Sequence, residues 1–148
     1  MSTIKNKILI SCLLIGLLVV VFNSCKKDKT QGGIPNVHVD VFLYSSDPNF
    51  TPLNVVGGSV YLNGGSRGLI VFRVSNTEFA TYDRHCPNEP EDACGVVDVD
   101  NSGIWGVDAC CSSKFLLQDG SVVSGPSTYS LRRYETTFDG TVLHVYNP

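Results

Sequence analysis

The sequence predicts an all-β fold, a small antiparallel sandwich or barrel. Short segments rich in β-branched and aromatic residues recur after residue 36, and such segments are typical of strands. Helix signals are weak over the same part of the chain. Glycine-containing turns separate the segments, among them Asp139-Gly140, a pair that favours a β-hairpin. Short strands joined by frequent turns indicate antiparallel sheets.

Three of the predicted strands have clear patterns. Residues 37–44 partly alternate between apolar and polar side chains, as a half-buried strand does. Residues 68–75 are a continuous apolar run, which predicts a buried strand, and residues 78–83 are its predicted partner. The other predicted strands are 58–65, 94–100, 113–118, 129–135 and 141–147. Aromatic residues assigned to core or edge packing rather than to a ligand site are Phe72, Phe79, Tyr82, Trp105, Phe115 and Tyr134.

The start of the chain has the layout of a secretory signal peptide. Lys5 and Lys7 make it positive, and residues 8–22 then form an apolar run that is followed closely by Cys25. The run has 15 residues, fewer than the roughly 20 with which a helix spans a bilayer. The segment therefore predicts export rather than a membrane-spanning helix.

The residues around Cys25 resemble a bacterial lipoprotein signal. Ser24 is the small residue before the cysteine, and Phe22 stands where leucine is usual. "SCKKDK" with the polar tether after it is similar to lipoproteins of Bacteroidetes-type bacteria. The resemblance implies a signal peptide over 1–24, a lipidated N-terminus and tether over 25–36, and one domain over 37–148. An uncleaved anchor is the alternative, and either places the domain on the periplasmic side of an envelope membrane.

The charge of the mature chain excludes a basic nucleic-acid footprint. Without residues 1–24 it keeps nine Lys and Arg (11 − 2) against 14 Asp and Glu, a formal charge of −5. Acidic side chains concentrate in residues 83–108, where Arg84 is the one Lys or Arg. This segment is either a solvated loop region or a face for a cation or a basic protein partner.

Four cysteines follow Cys25 in the sequence: Cys86, Cys94, Cys110 and Cys111. An even number in an oxidising compartment first suggests disulfides. Four thiolates that hold zinc or an iron–sulfur cluster are the alternative. A Cys–His nucleophile at His85-Cys86 is disfavoured, because neighbouring side chains on an extended chain diverge and cannot share a hydrogen bond. No catalytic residue is assigned.

From residue 68 onward the chain resembles the Rieske iron–sulfur domain. "ATYDRHCPNEP" is similar to the approach to the first cluster loop, and "CSSKFLLQDGSVVSGPSTYSLRRYE" is similar to the second loop and the segment after it. In the family the first loop carries Cys-x-His and the second Cys-x-x-His. Gly125 and Pro126 stand where a loop covers the cluster. The resemblance implies a Rieske-like sandwich with two site loops, a [2Fe–2S] centre, electron transfer and a redox partner.

The ligand positions depart from the family pattern. Cys86 stands at the first cysteine position, but Asn88 stands at the histidine position of the same loop. In the second loop, counting back from Phe115, Asp108 stands at the cysteine position and Cys111 at the histidine position. An ordinary centre with one iron on two thiolates and one on two imidazoles therefore lacks part of its ligand set.

Some Rieske proteins tie the two loops by a disulfide, and Cys94 and Cys110 stand at those positions. We hypothesise that Cys86 and Cys111 then pair as a second disulfide in place of the cluster. The sequence thus predicts a lipid-anchored, disulfide-stabilised binding or structural module. A [2Fe–2S] electron carrier with unusual ligands is the alternative.

Overall fold

The structure, a computed structural model, describes residues 31–147. The predicted signal peptide, Cys25 and the first part of the tether lie outside these residues. The described strands are β1 (Asp40–Tyr44), β2 (Ser59–Leu62), β3 (Leu69–Arg73), β4 (Phe79–Asp83), β5 (Val97–Val99), β6 (Trp105–Asp108), β7 (Lys114–Leu116), β8 (Val122–Ser124), β9 (Arg133–Phe138) and β10 (Val142–Tyr146). Two 3-10 helices accompany them, Gln31–Gly33 and Pro48–Asn54. No helix within residues 31–147 has the length and apolar character needed to cross a membrane.

The strands form two antiparallel sheets, which confirms the predicted fold class. The larger sheet has six strands in the order β1-β10-β9-β4-β3-β2. The smaller sheet has four strands in the order β5-β6-β7-β8. The strands of the smaller sheet all lie in the sequence between β4 and β9. One loop leads from β4 into this sheet, and another connects β6 to β7 within it.

Strand β3 is buried on both faces, as its continuous apolar run predicts. Leu69 and Val71 pack into one hydrophobic core, and Ile70 and Phe72 into another. Side chains alternate between the faces of a strand, so only an unbroken apolar run can serve two cores. Each such side chain contributes about 1.5–3 kcal/mol by leaving water.

The two cores have different roles. The first is formed by strands of the larger sheet and is closed by Phe50 and Leu53 of the 3-10 helix Pro48–Asn54. The second joins the larger sheet to the smaller one. It contains Phe115 and Leu117 from the smaller sheet and also Cys86. The second core therefore positions the cysteine-bearing loops.

Several sequence boundaries are corrected by the structure. Strands β6 and β8 were not predicted, and β9 begins at Arg133 rather than near Tyr129 because residues 125–132 are used as a loop over the smaller sheet. Residues before the first predicted strand also pack on the domain. Ile34 is fully buried, and the Arg132 guanidinium donates hydrogen bonds of 3.1 Å to its carbonyl and to that of Pro35.

Candidate thiol and metal site

Two loops at the end of the smaller sheet form the candidate site. The first connects β4 to β5, and the second connects β6 to β7. Backbone hydrogen bonds fix both loops. Cys86 N–H donates to the Gly95 carbonyl at 3.0 Å, and in the second loop Asp108 N–H donates to the Ser113 carbonyl at 3.0 Å. Because these bonds use backbone atoms, they do not depend on which side chains the bonded residues carry.

A disulfide joins the two loops, as the sequence predicts. Cys94 and Cys110 are bonded with an S–S distance of 2.04 Å and a Cα–Cα distance of 5.8 Å. Both residues are exposed. The cross-link holds the loop tips together beside the remaining cysteines.

Cys86, Asp108 and Cys111 meet at one point between the loops. Their ligand atoms all lie within 4.8 Å of one another. The Sγ atoms of Cys86 and Cys111 are 3.8 Å apart, and Cys111 Sγ is 3.3 Å from Asp108 Oδ2. Cys86 and Asp108 are fully buried, and Cys111 is half-buried.

The second disulfide suggested by the sequence is not formed. Cys86 and Cys111 are free thiols, and their sulfurs are too far apart for a bond of about 2.05 Å. The sequence did bring the correct two residues together. It placed Asp108 at a lost ligand position, whereas its carboxylate lies beside the sulfurs and makes the site a thiol–carboxylate cluster rather than a cystine.

The thiol of Cys86 is held in its neutral form. Burial raises its pKa, and the hydrogen bond and negative charge of Asp108 raise it further. A backbone hydrogen bond from Asn88 acts in the opposite direction but is weaker than burial. A thiolate at this position therefore needs a nearby positive charge to form at neutral pH.

Neighbouring groups orient the acceptor atoms. Asp108 Oδ1 accepts a hydrogen bond of 2.7 Å from Cys110 N–H. The Ser113 hydroxyl lies 3.1 Å from Cys111 Sγ and accepts a hydrogen bond of 3.1 Å from Ser127 N–H. Cys111 Sγ donates to the Ser113 oxygen while the thiol keeps its proton, and the Ser113 hydroxyl can donate to the sulfur once that proton is lost.

His85 does not belong to the site. Its Nε2 lies 2.7 Å from the Pro90 carbonyl, which only accepts, so Nε2 carries the proton. The other nitrogen, Nδ1, lies 2.8 Å from the Ser66 hydroxyl and shares a hydrogen bond with it. Both ring nitrogens are thus occupied, and the cluster with Cys86 contains no histidine among residues 31–147.

The loop at Gly125 and Pro126 packs on the second site loop. Gly125 has a φ of +97°, and a Cβ there would lie 2.5 Å from Ser113 Cα. Both the backbone conformation and the close approach require glycine. The loop therefore fixes Ser113, which lies next to Cys111 Sγ.

Arg67 was missed by the sequence analysis, although it secures the first site loop. Its guanidinium donates to the carbonyls of Asp92, Gly95 and Pro90 at 2.6, 2.8 and 3.1 Å. The signal that could have identified it is the glycine-rich stretch 63–68, "NGGSRG". Every glycine of this stretch has a positive φ, so a tight turn brings the arginine to the loop.

The side chain of Asp83 holds the same glycine-rich turn through hydrogen bonds. Its carboxylate is fully buried and accepts hydrogen bonds from Ser66 N–H at 2.7 Å, Tyr134 Oη at 2.9 Å and His85 N–H at 2.9 Å. Burial and the Asp83 charge raise the pKa of Tyr134, so the phenol keeps the proton that it donates.

No family model matches the chain, and no curated protein matches it. Among solved structures, the crystal structure of the cyanobacterial plasma membrane Rieske protein PetC3 from Synechocystis PCC 6803 is similar, with a TM-score of 0.54. The two sequences are 20% identical, and the match covers 71% of this chain and 97% of that chain. At this identity the likeness concerns the fold. The chain has a Rieske-like β fold.

Proposed function

We propose that this chain is a lipid-anchored binding module of the cell envelope, in which a thiol–carboxylate site stands in place of the [2Fe–2S] cluster implied by the fold. The observation that supports this proposal is the set of donors at the site. Cys86, Asp108 and Cys111 supply two sulfurs and a carboxylate, and no imidazole accompanies them.

These residues do not fit a two-iron cluster of the Rieske type. In the family pattern each loop supplies one ligand to each iron, so Cys86 and Cys111 stand at positions that serve different irons. Their sulfurs are 3.8 Å apart, which leaves no space between them for two irons and the bridging sulfides. The remaining positions hold Asn88 and Asp108 rather than a histidine and a cysteine. Electron transfer through a [2Fe–2S] centre is the alternative function.

Iron and sulfide analysis tests the proposal. Protein purified from envelope membranes should be colourless and contain neither iron nor acid-labile sulfide. Anaerobic incubation with ferrous iron and sulfide should give no stable cluster after desalting, which excludes simple loss of a cluster during purification. A brown protein with two irons and two sulfides per chain would instead establish the electron-transfer alternative.

Packing of the N-terminal segment supports a site close to the membrane. Gly32 lies against Pro87 of the first site loop, where an added Cβ would be 2.7 Å from the proline Cβ. Gly32 follows Cys25 by seven residues, a span of at most about 25 Å when fully extended. A lipid on Cys25 would therefore hold the site end of the domain within this distance of the lipid surface.

Replacing Cys25 tests the anchor. The Cys25→Ala variant should lose metabolic labelling by fatty acid and leave the membrane fraction, while Cys12→Ala, which lies in the discarded segment, should behave as wild type. Retention of Cys25→Ala in membranes would contradict lipid anchoring.

Exposed acidic side chains on the first loop support a basic or redox protein partner. Glu89, Glu91 and Asp92 are all exposed, and opposite charge speeds association and makes it sensitive to salt. Neutralising the three should weaken binding of a basic model partner such as cytochrome c, whereas Glu135→Gln on β9 should not. Equal binding by both variants would contradict a docking role for this loop.

A further inference from the structure

We propose that Cys86, Cys111 and Asp108 bind a single divalent ion of the zinc class, an inference that rests on the proposed absence of a two-iron cluster. One ion would be held by two thiolates and one carboxylate. The first loop supplies one ligand, and the second supplies two from positions three residues apart.

The distances between the donors match the edges of one tetrahedron. Two sulfurs that each lie 2.3 Å from a tetrahedral zinc ion are about 3.8 Å apart, and a sulfur and a carboxylate oxygen are about 3.5 Å apart. In the structure Cys86 Sγ and Cys111 Sγ are 3.8 Å apart, and Cys111 Sγ is 3.3 Å from Asp108 Oδ2. These two edges are within about 0.2 Å of the tetrahedral values, and Cys86 Sγ lies within 4.8 Å of the Asp108 carboxylate, so the three donors can close on one ion.

The chemistry of the donors selects the class of ion. Thiolates favour zinc and other borderline or soft ions over magnesium and calcium, which prefer an all-oxygen shell. Binding breaks two S–H bonds and forms two metal–sulfur bonds, and the two protons pass to solvent.

The surroundings hold the donors in place before an ion arrives. Cys110 N–H fixes one oxygen of Asp108 at 2.7 Å, which leaves Oδ2 directed at Cys111. The Ser113 hydroxyl lies 3.1 Å from Cys111 Sγ, a contact of the kind that supports metal-bound thiolates. The disulfide from Cys110 restrains the residue next to Cys111. These contacts lower the entropy lost when an ion binds.

Burial leaves one side of the site accessible. Cys86 and Asp108 are fully buried, whereas Cys111 is half-buried. An ion with three protein ligands would keep its fourth position toward the Cys111 side, open to water or to a ligand brought by a partner. Open fourth positions distinguish reactive zinc sites from closed structural ones.

Cobalt provides the direct test, since Co²⁺ replaces zinc and reports its ligands by absorption. The mature domain, with its disulfide intact and metal removed by chelation, should bind one Co²⁺ per chain. Tetrahedral visible bands and a thiolate-to-cobalt charge-transfer band in the near ultraviolet should appear, and one equivalent of Zn²⁺ should remove them.

Variants assign the ligands. Cys111→Ser, at a half-buried position, should remove roughly half of the charge-transfer intensity because one of two sulfurs is lost, and circular dichroism confirms its fold. Asp108→Asn should weaken binding at least 10-fold, while circular dichroism confirms its fold. The matched control is Asp92→Asn. Its carboxylate lies in a second group with Cys94 and Cys110, whose sulfurs are already bonded, so it should bind like wild type.

The outcomes separate this inference from the proposed function. A brown iron–sulfide protein contradicts the proposed function itself. A colourless protein that does not bind one Co²⁺ per chain overturns the metal site alone. The same holds if the Cys111→Ser variant binds Co²⁺ as tightly as wild type. Thiol titration of denatured envelope protein should find two thiols, from Cys86 and Cys111, and a count of zero would show that they are oxidised and overturn the site as well.

Discussion

Replacing both Cys94 and Cys110 by serine should lower the free energy of unfolding by about 3 kcal/mol, because the cross-link restricts the unfolded chain. The two cysteines are 16 residues apart in the sequence. In the chain-entropy account, a loop of about 16 residues removes roughly 10 cal/mol/K from the unfolded state, which is about 3 kcal/mol at 25 °C.

Little else changes in this double variant. Both side chains are exposed, so almost no apolar surface is lost. The hydrogen bond from residue 110 to Asp108 uses a backbone N–H and survives the substitution. The loss of stability therefore measures the cross-link rather than a cavity.

Urea and thermal unfolding of the oxidised domain provide the assay. A loss of about 3 kcal/mol corresponds to a decrease in Tm of roughly 12 °C for a domain of this size. The m-value should rise, since an unfolded chain without the cross-link exposes more surface. Wild type reduced with a thiol should match the double variant. A difference below about 1 kcal/mol, or an unchanged reduced wild type, would refute the reasoning.

Two further comparisons concern single side chains. Gly125→Ala should destabilise the domain by about 1–3 kcal/mol more than Gly140→Ala. Both glycines have a positive φ, but only a Cβ at position 125 would meet backbone, 2.5 Å from Ser113 Cα. Equal losses of stability in urea unfolding would contradict this contact. Tyr82→Phe should stabilise the domain by about 1 kcal/mol at pH 7, since the Tyr82 hydroxyl is buried without a hydrogen-bond partner among the described residues. Burial also raises the pKa of Tyr82 to about 12, whereas Tyr82 in the unfolded chain loses its proton near pH 10. Wild type should therefore lose stability as the pH rises from about 10 to 12. The stability advantage of Tyr82→Phe should grow over the same range. A constant difference would contradict a buried phenol.

The parts of the fold that could be predicted are those with a long apolar pattern or a purely local interaction. The run Leu69–Arg73 has buried side chains on both faces, and a continuous apolar run is what such a strand requires. The hairpin at Asp139 was equally clear. Its carboxylate accepts the N–H groups of Thr141 and Val142 at 2.8 and 2.7 Å, a local interaction that needs no information from the rest of the chain.

The smaller sheet was less predictable because its strands are short and one of them contains a glycine. Strand β6 (Trp105–Asp108) has four residues, too few for an alternating pattern to stand out. Gly106 normally indicates a break in a strand. Here a Cβ at this position would lie 2.8 Å from Val97 Cγ1 and 3.3 Å from Leu117 Cδ2, so the glycine is required by close packing that only the folded structure reveals.

The sequence predicted which residues form the site but not what they do there. Comparison with the Rieske pattern placed Cys86, Asp108 and Cys111 at ligand positions of facing loops, and these residues do meet. The comparison treated Asp108 as a lost ligand, since it considered only which residue type was expected. The distance of 3.3 Å from its carboxylate to Cys111 Sγ depends on the conformation of the second loop, which no sequence position specifies.

The separation of scaffold and site explains how such a change of ligands can leave the fold intact. The first core contains none of the four cysteines between 86 and 111, so its apolar burial is independent of the site. Backbone hydrogen bonds between Cys86 and Gly95, and between Asp108 and Ser113, set the loop shapes. These backbone contacts would be the same with an imidazole, a thiol or a carboxylate as the side chain. The side chains instead set the space between the loops, where the sulfurs of Cys86 and Cys111 lie 3.8 Å apart.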